Sequence, residues 1–318
     1  MMTFKRGWSK PSSILFATEL PANEKAFAFV LAHAMEVGAD LILFHVCRAE
    51  RDSLLEATPP HRAEYETARG VKQELEPLVR RARDLGIACR VVVRPGNAAE
   101  EILRFLEEHG VDCLVMGAHT PGPVGKLLVG SVAETVLRKA HVPVTIVGPY
   151  LAEGAYRNLA TRTIVCPVGE QPSSPMVARL AAELAARHGA RLSLQQIIPP
   201  QEATEVLAGR SPDEMEAGLM ELIPSRLRGK VTVLTRVVEG DPTDELLYQS
   251  RVLQANLIVM GAQGASHFAA VTRAGMVYKV LAYAHCPVMT LSPVLLAGCP
   301  PVPLGVQHGE VHYIAGVV

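Results

Sequence analysis

The stretch VMGAHTPGPVGKLLVGSVAE, residues 115–134, runs from an apolar, β-branched segment through a Gly- and Pro-rich loop into helical patterning. A second stretch, VMGAQGASHFAAVTRAGMVY, repeats that frame at residues 259–278. Gly117 and Gly261 stand 144 positions apart, and the same separation joins Gly96 to Gly240 and Pro143 to Pro287. Upstream, GADLILFHV from Gly38 matches GARLSLQQI from Gly189 at a separation of 151. A duplication on this scale implies two similar domains rather than a solenoid of short repeats.

Each copy carries the same order of signals. It opens on an apolar run, Ile14–Ala17 or Ile164–Cys166. An Ala-rich amphipathic helix follows, with Phe27, Val30, Leu31, Ala34 and Met35 on one stripe in the first copy and Val177, Leu180, Ala181 and Leu184 in the second. Next come a strand, Leu41–Val46 or Leu192–Ile198, a long loop with a charged helix, and a β-branched run, RVVVR or VTVLTRVV. Asn97 and Asp241 are natural N-caps for the helix after that run, and Glu100 and Asp244 complete a capping-box pattern. Pro242 suits the first helical position. A strand (DCLVMG or NLIVMG), the Gly-rich loop, a last helix and a short strand (VPVTIV or CPVMTL) close each copy.

Strands and helices in alternation, with the strands apolar throughout, predict parallel sheets covered on both faces. The expected fold is therefore α/β: two similar doubly wound domains, each a mostly parallel five-stranded sheet with helices on both faces. The expected boundaries are 1–148 and 161–292, joined by a linker at 149–160. The Pro- and Gly-rich tail at 293–318 matches nothing in the repeat and reads as a surface arm. Ligands of such sheets bind outside the carboxyl ends of the strands, which places the loops after Ala17, Val46 and Met116 around one crevice.

At 318 residues, 49% hydrophobic and 20% charged, the chain holds enough apolar material for two sizeable cores. A net charge of −1 and 5% aromatic content argue against nucleic acid and anionic membrane as partners. The six cysteines, at 47, 89, 113, 166, 286 and 299, form no C-x-x-C pair and read as free thiols, as in a reducing cytoplasm. The basic N-terminal stretch has an apolar run of only Ile14–Ala17, too short for a signal peptide, and no stretch reaches transmembrane length. A cytoplasmic location is expected.

The Gly-rich loop carries the chemistry. A helix N-terminus presents unpaired N–H groups and partial positive charge, which suits phosphate. Gly130 lets phosphate oxygens approach the backbone, and the Ser131 hydroxyl caps the helix or donates to phosphate. Lys126 adds charge from the loop. GPVGK is not a Walker A motif, because G-x-x-x-x-G-K-[ST] is not completed. His45 lies within a strand and reads as a packed histidine rather than a metal ligand, and no His/Cys/Asp cluster has metal spacing.

With these motifs the sequence resembles the universal stress protein family in tandem form, over roughly 12–148 and 161–292. The family's motif, G-x2-G-x9-G-[ST], reads here Gly117, Thr120, nine residues, then Gly130-Ser131. The second copy reads Gly261, Gly264, nine residues, then Ala274-Gly275, so its phosphate-side pair differs. The resemblance implies an adenine nucleotide alpha hydrolase-like fold that binds ATP, or ADP or AMP, with or without Mg2+. It places Glu19 at the family's acidic position near the adenosine, with Gly169 as its counterpart in the second copy. It further assigns adenine contacts to Ala17, Thr18 and Val46. Met116 ends the strand before the loop, and ribose or phosphate contacts fall to Gly117, His119, Thr120, Gly130, Ser131 and Val132.

Three functions stay open at this point: a nucleotide-binding regulatory protein of the stress response with a degenerate second domain, a nucleotide-free dimerisation scaffold, and a slow ATPase. No candidate general base or G-x-S-x-G element favours catalysis. Resemblance also suggests that the domains dimerise through their final strands, Val144–Val147 and Val288–Leu291. The pairing would lie within one chain or between two, with Pro143 and Pro287 at the strand starts where no donor is required.

Overall fold

Each apolar run of the sequence becomes a strand. The first five are β1 (Ser13–Ala17), β2 (Asp40–Cys47), β3 (Cys89–Pro95), β4 (Cys113–Gly117) and β5 (Val144–Val147); the second five are β6 (Thr163–Val168), β7 (Arg191–Ile198), β8 (Val233–Glu239), β9 (Leu257–Gly261) and β10 (Val288–Leu291). The computed structural model describes residues 12–47, 60–118, 130–152, 162–169, 171–207, 209–262 and 275–299, the side chains of 60–68 excepted. All ten strands lie in one sheet, in the order β3-β2-β1-β4-β5-β10-β9-β6-β7-β8. Within each half every pairing is parallel, and the strand order reverses beside the first strand, at β1/β4 and again at β6/β9.

The halves meet where β5 pairs antiparallel with β10, Val288 opposite Ile146 and Thr290 opposite Val144. Pro143 and Pro287 stand immediately before these strands, and their carbonyls accept from Leu114 and Ile258. Chain segments beyond each last strand close on the other half. The Ser292 hydroxyl donates to the Ala140 carbonyl. At the position 144 residues earlier, a Cβ on Gly148 would lie 2.8 Å from the Leu281 carbonyl oxygen, so only glycine permits that approach.

The helices connecting these strands are α1 (Glu24–Val37), α2 (Pro60–Asp84), α3 (Ala98–His109) and α4 (Ser131–Lys139), then α5 (Ser174–His188), α6 (Pro200–Val206), α7 (Pro212–Glu221), α8 (Pro242–Val252), α9 (Met276–Tyr283) and α10 (Pro293–Ala297). α1 and α5 both end on glycines in the left-handed region, Gly38 at φ 65° and Gly189 at φ 61°, which explains their shared place in the repeat. Asn97 accepts from Ala99 and Glu100, and Asp241 from Thr243 and Asp244, as the cap patterns predict. A reciprocal capping box forms instead at α7, between Ser211 and Glu214.

Three expectations change. Met35 is 53% exposed rather than buried. It lies about 80° around the helix from Phe27, past the edge of the stripe that Val30, Leu31 and Ala34 complete. The segment after Pro293 does not begin as a surface arm: α10 buries Leu295 and Leu296 in the core of the second half. Residues 300–318 lie outside the described residues. Two separate cores were expected, but on one face a single core runs across the seam, joining Leu114, Leu137 and Ile146 to Ile258, Leu281 and Val288. The physical cause is the β5–β10 pairing, which brings α4 and α9 to the same side of neighbouring strands and buries both against each other's sheet. The opposite face keeps a core for each half.

Candidate functional site

At the carboxyl ends of β1, β2 and β4 a cavity of about 380 Å³ opens toward the N-terminus of α4. Ala17, Thr18 and Glu19 form one wall, Val46 and Phe44 another, and Met116, Gly117, Gly130, Ser131 and Val132 a third. Nine of the eleven residues singled out in the sequence thus converge on one site. The other two, His119 and Thr120, lie outside the described residues, as does Lys126.

The strand-order reversal builds this crevice. α1, which follows β1, packs on one face of the sheet and α4, which follows β4, on the other, which leaves a gap between the two strand ends. Thr18 is held in place by two bonds: its N–H donates to the Phe44 carbonyl at 3.0 Å, and its carbonyl oxygen lies 2.9 Å from His45 Nδ1. That contact requires the proton on Nδ1, so His45 is a packed, orienting histidine. Asn23 fixes the opposite side. Its Oδ1 accepts from Ala26 as the N-cap of α1, while its Nδ2 donates to the Ala118 carbonyl at 3.3 Å. Asn23, His45 and Ala98 also line the cavity, and sequence reasoning did not single them out as site residues. Asn23 carried a signal all the same: an N-cap residue type directly before Glu24 and the Phe27 stripe.

The two glycines of the motif differ in kind. A Cβ on Gly117 would stand 2.9 Å from Asn23 Cβ, so local packing alone demands glycine there. A Cβ on Gly130 would meet nothing within 4 Å among the described residues, and its φ of −58° suits any residue. Neither its backbone nor packing among the described residues explains Gly130, which lines the cavity. Gly130 is the N-cap of α4 and that end has no side-chain cap, whereas α1, α3, α7, α8 and α10 all have one. Ser131 is the first helical residue and not a cap, which corrects one of its two sequence readings. Its carbonyl accepts from Thr135.

The second half has a cavity of about 430 Å³ at the corresponding place, lined by Val168, Gly169, Gly261 and Met276. Here the N-cap of α9 is Gly275, again without a side-chain cap. The cap glycine therefore survives one position later than the repeat predicts, and Met276 takes the first helical position that Ser131 holds in α4.

Burial pushes the Cys113, Cys166 and Cys286 thiols up to about 12, so none is a thiolate near neutrality. All six cysteines are free. Among the described residues no group of three His, Cys, Asp or Glu side chains is placed to hold a metal ion, and no helix is long and apolar enough to cross a membrane.

Comparison with known proteins decides the family. Residues 12–148 and 160–292 each match the universal stress protein family. The chain belongs to the universal stress protein family. A universal stress protein of Methanocaldococcus jannaschii is 33% identical over 76 residues, covering 24% of this chain and 47% of that protein. One from Mycolicibacterium smegmatis is 41% identical over 54 residues, covering 17% and 42%. The matched stretches thus span less than half of each of these relatives. Among solved structures, a universal stress protein from Archaeoglobus fulgidus covers 90% of this chain and 98% of its own, with a TM-score of 0.68 at 18% identity, which establishes the shared fold. A universal stress protein solved in complex with cAMP covers 41% of this chain and 97% of its own, with a TM-score of 0.34 at 21% identity.

Proposed function

We propose that this universal stress protein is a nucleotide-binding regulator of the stress response, holding one adenine nucleotide, ATP or its ADP or AMP relative, in the first-half crevice. The observation that carries the reading is Gly130: a glycine that neither its backbone nor packing among the described residues requires, at a helix end without a side-chain cap that lines a cavity. Phosphate oxygens accept from the N–H groups of the first turn of α4 and from the Ser131 hydroxyl. The adenine lies between Ala17, Thr18 and Val46, and Glu19 takes the ribose side. The nucleotide binds with or without Mg2+.

The domains on this reading are 1–148 and 161–292, with 149–160 as linker. They act as an intramolecular pseudo-dimer, and the β5–β10 ladder supports this part of the proposal because each strand covers the other's edge. The protein is a binding regulator rather than a catalyst, and its free cysteines suit a reducing cytoplasm.

Mass spectrometry of small molecules released from freshly purified protein tests the central claim, followed by calorimetric titration with ATP. Co-purified adenine nucleotide and a stoichiometry near one are expected. No nucleotide and no heat would return the protein to the scaffold reading, and a stoichiometry near two would show that the second crevice takes the same ligand.

A further inference from the structure

We infer that the second-half crevice is a ligand site in its own right, and that it takes an uncharged, mostly apolar small molecule rather than a nucleotide. This does not depend on the nucleotide reading of the first half. At about 430 Å³ the crevice is no smaller than its counterpart, and it falls in the size range of small-molecule sites. A pocket that had merely decayed would be filled by larger side chains, because empty apolar space forfeits packing contacts. Here the backbone stays bare instead. A Cβ on Gly169 would meet nothing within 4 Å among the described residues, and its φ is not positive. A Cβ on Gly261 would meet Val177 at 3.4 Å, an ordinary contact, where Gly117 is sterically obliged to be glycine.

The lining then gives the chemistry. Val168, Val177, Ile198, Met260, Met276 and Val277 supply an apolar body. Gln171, Ser173 and Gln196 supply neutral hydrogen-bonding groups, and Glu202 of α6 is the charged residue of the described lining. Glu202 does not by itself distinguish this crevice from the first, whose described lining also carries one carboxylate, Glu19; the distinction rests on the apolar body and on Met276. The Met276 thioether side chain lines the cavity at the helix position where Ser131 offers a hydroxyl in the first half. The helix position that carries a hydroxyl in the first half thus carries an apolar side chain here, while amides remain to satisfy a polar edge. α6 follows directly on β7 through Pro199, and Glu202 and Val206 close one side of the opening.

The test uses two fluorophores with nearly the same aromatic body, uncharged N-phenyl-1-naphthylamine and its anionic sulfonated relative 8-anilinonaphthalene-1-sulfonate, titrated into the full chain. Saturable one-to-one binding of the uncharged probe, at least tenfold tighter than the anionic one, is expected. Gly169→Trp places an indole into the crevice where the described residues leave room at the Cβ, so the crevice is plugged; binding of the uncharged probe should fall at least tenfold with the melting temperature unchanged. Met276→Ser should weaken the same probe and narrow the gap between the two. Equal affinity for both probes, unsaturable fluorescence, or full binding by a folded Gly169→Trp protein would each overturn the assignment. Loss of ATP binding at the first crevice in an unaltered chain would leave this result standing, so the two readings fail separately.

Discussion

Glu36 Oε1 lies 2.8 Å from His188 Nδ1, so a carboxylate near the end of α1 and an imidazole at the end of α5 join the two halves of the chain across the β5–β10 seam. Arg162, just ahead of β6, donates to the same carboxylate oxygen. His33 stands one helical turn from Glu36, its Nδ1 4.0 Å from Oε2, and stacks on Phe29. These four groups surround a small cavity of about 70 Å³ between α1, α5 and the central strands.

Stability should consequently fall with acid in two stages. Burial lowers the His33 pKa to about 4, with the positive charges of His188 and Arg162 adding to the effect and Glu36 opposing it. The unfolded chain takes up a proton near 6.5 that the folded chain refuses, so stability present above pH 6.5 is lost as pH falls toward 4. Burial alone would raise the Glu36 pKa, but its bonds from His188 and Arg162 prevail and hold it at about 2. Its contribution is present above pH 4.5 and is lost between 4.5 and 2. Urea midpoints measured at pH 7.5, 5.5 and 4.5 should decline, by up to about 3 kcal/mol from His33. His33→Leu, which installs the residue found at Leu184 in the repeat, should flatten the upper stage; a slope unchanged in that variant would refute the assignment.

The two motif glycines should respond oppositely to the same substitution. Gly117→Ala forces a methyl to 2.9 Å from Asn23 Cβ and should cost roughly 1–3 kcal/mol of stability. Gly130→Ala meets none of the described residues and should leave the melting temperature within a degree or two, yet weaken ATP binding at least tenfold by filling the phosphate's place. Calorimetry and thermal melts on both variants check this, and a Gly130→Ala protein with full ATP affinity would remove the phosphate from α4.

Ser131→Ala should separate binding from folding still further. Because Ser131 is not the cap of α4, the fold loses nothing. A lost bond to a charged phosphate is worth about 1.5–3 kcal/mol, or roughly 10- to 150-fold in the dissociation constant for ATP. An unchanged constant would leave Ser131 without a ligand role.

Ser292→Ala should report on the seam. The hydroxyl donates to Ala140 at the end of α4 and accepts from Leu295 N–H at 2.9 Å as the cap of α10. Removing both bonds at a buried site should cost about 1–3 kcal/mol, read as a lower melting temperature. The chain should still elute as a single 34.2 kDa species, because the β5–β10 ladder is internal. An unaltered melting temperature would mean that α10 contributes nothing to the joint.

Much of this molecule is decided locally, and the sequence alone determines those parts. Strand and helix types, the caps at Asn97 and Asp241 and the paired glycines at 38 and 189 all follow from residue preferences acting over a few positions. Ala17, Val46, Gly117 and Gly130 could be gathered round one crevice because they stand at strand ends and a helix start, and because the resemblance assigns them contacts; of the four the repeat itself keeps only Gly117, as Gly261. Only the tertiary structure decided what depends on distant segments meeting. That Gly117 answers to Asn23 while Gly130 meets none of the described residues is a matter of non-local space, invisible when both are simply glycines in a motif. The core shared between α4 and α9, the burial of Leu295 and Leu296, and the junction of Glu36 with Arg162 and His188 all hang on one antiparallel pairing between strands 144 positions apart. Each half supplies a locally complete strand order, so nothing in its own sequence specifies what lies beyond its last edge; backbone groups left unpaired there, and apolar area left uncovered, are satisfied only when the other half arrives.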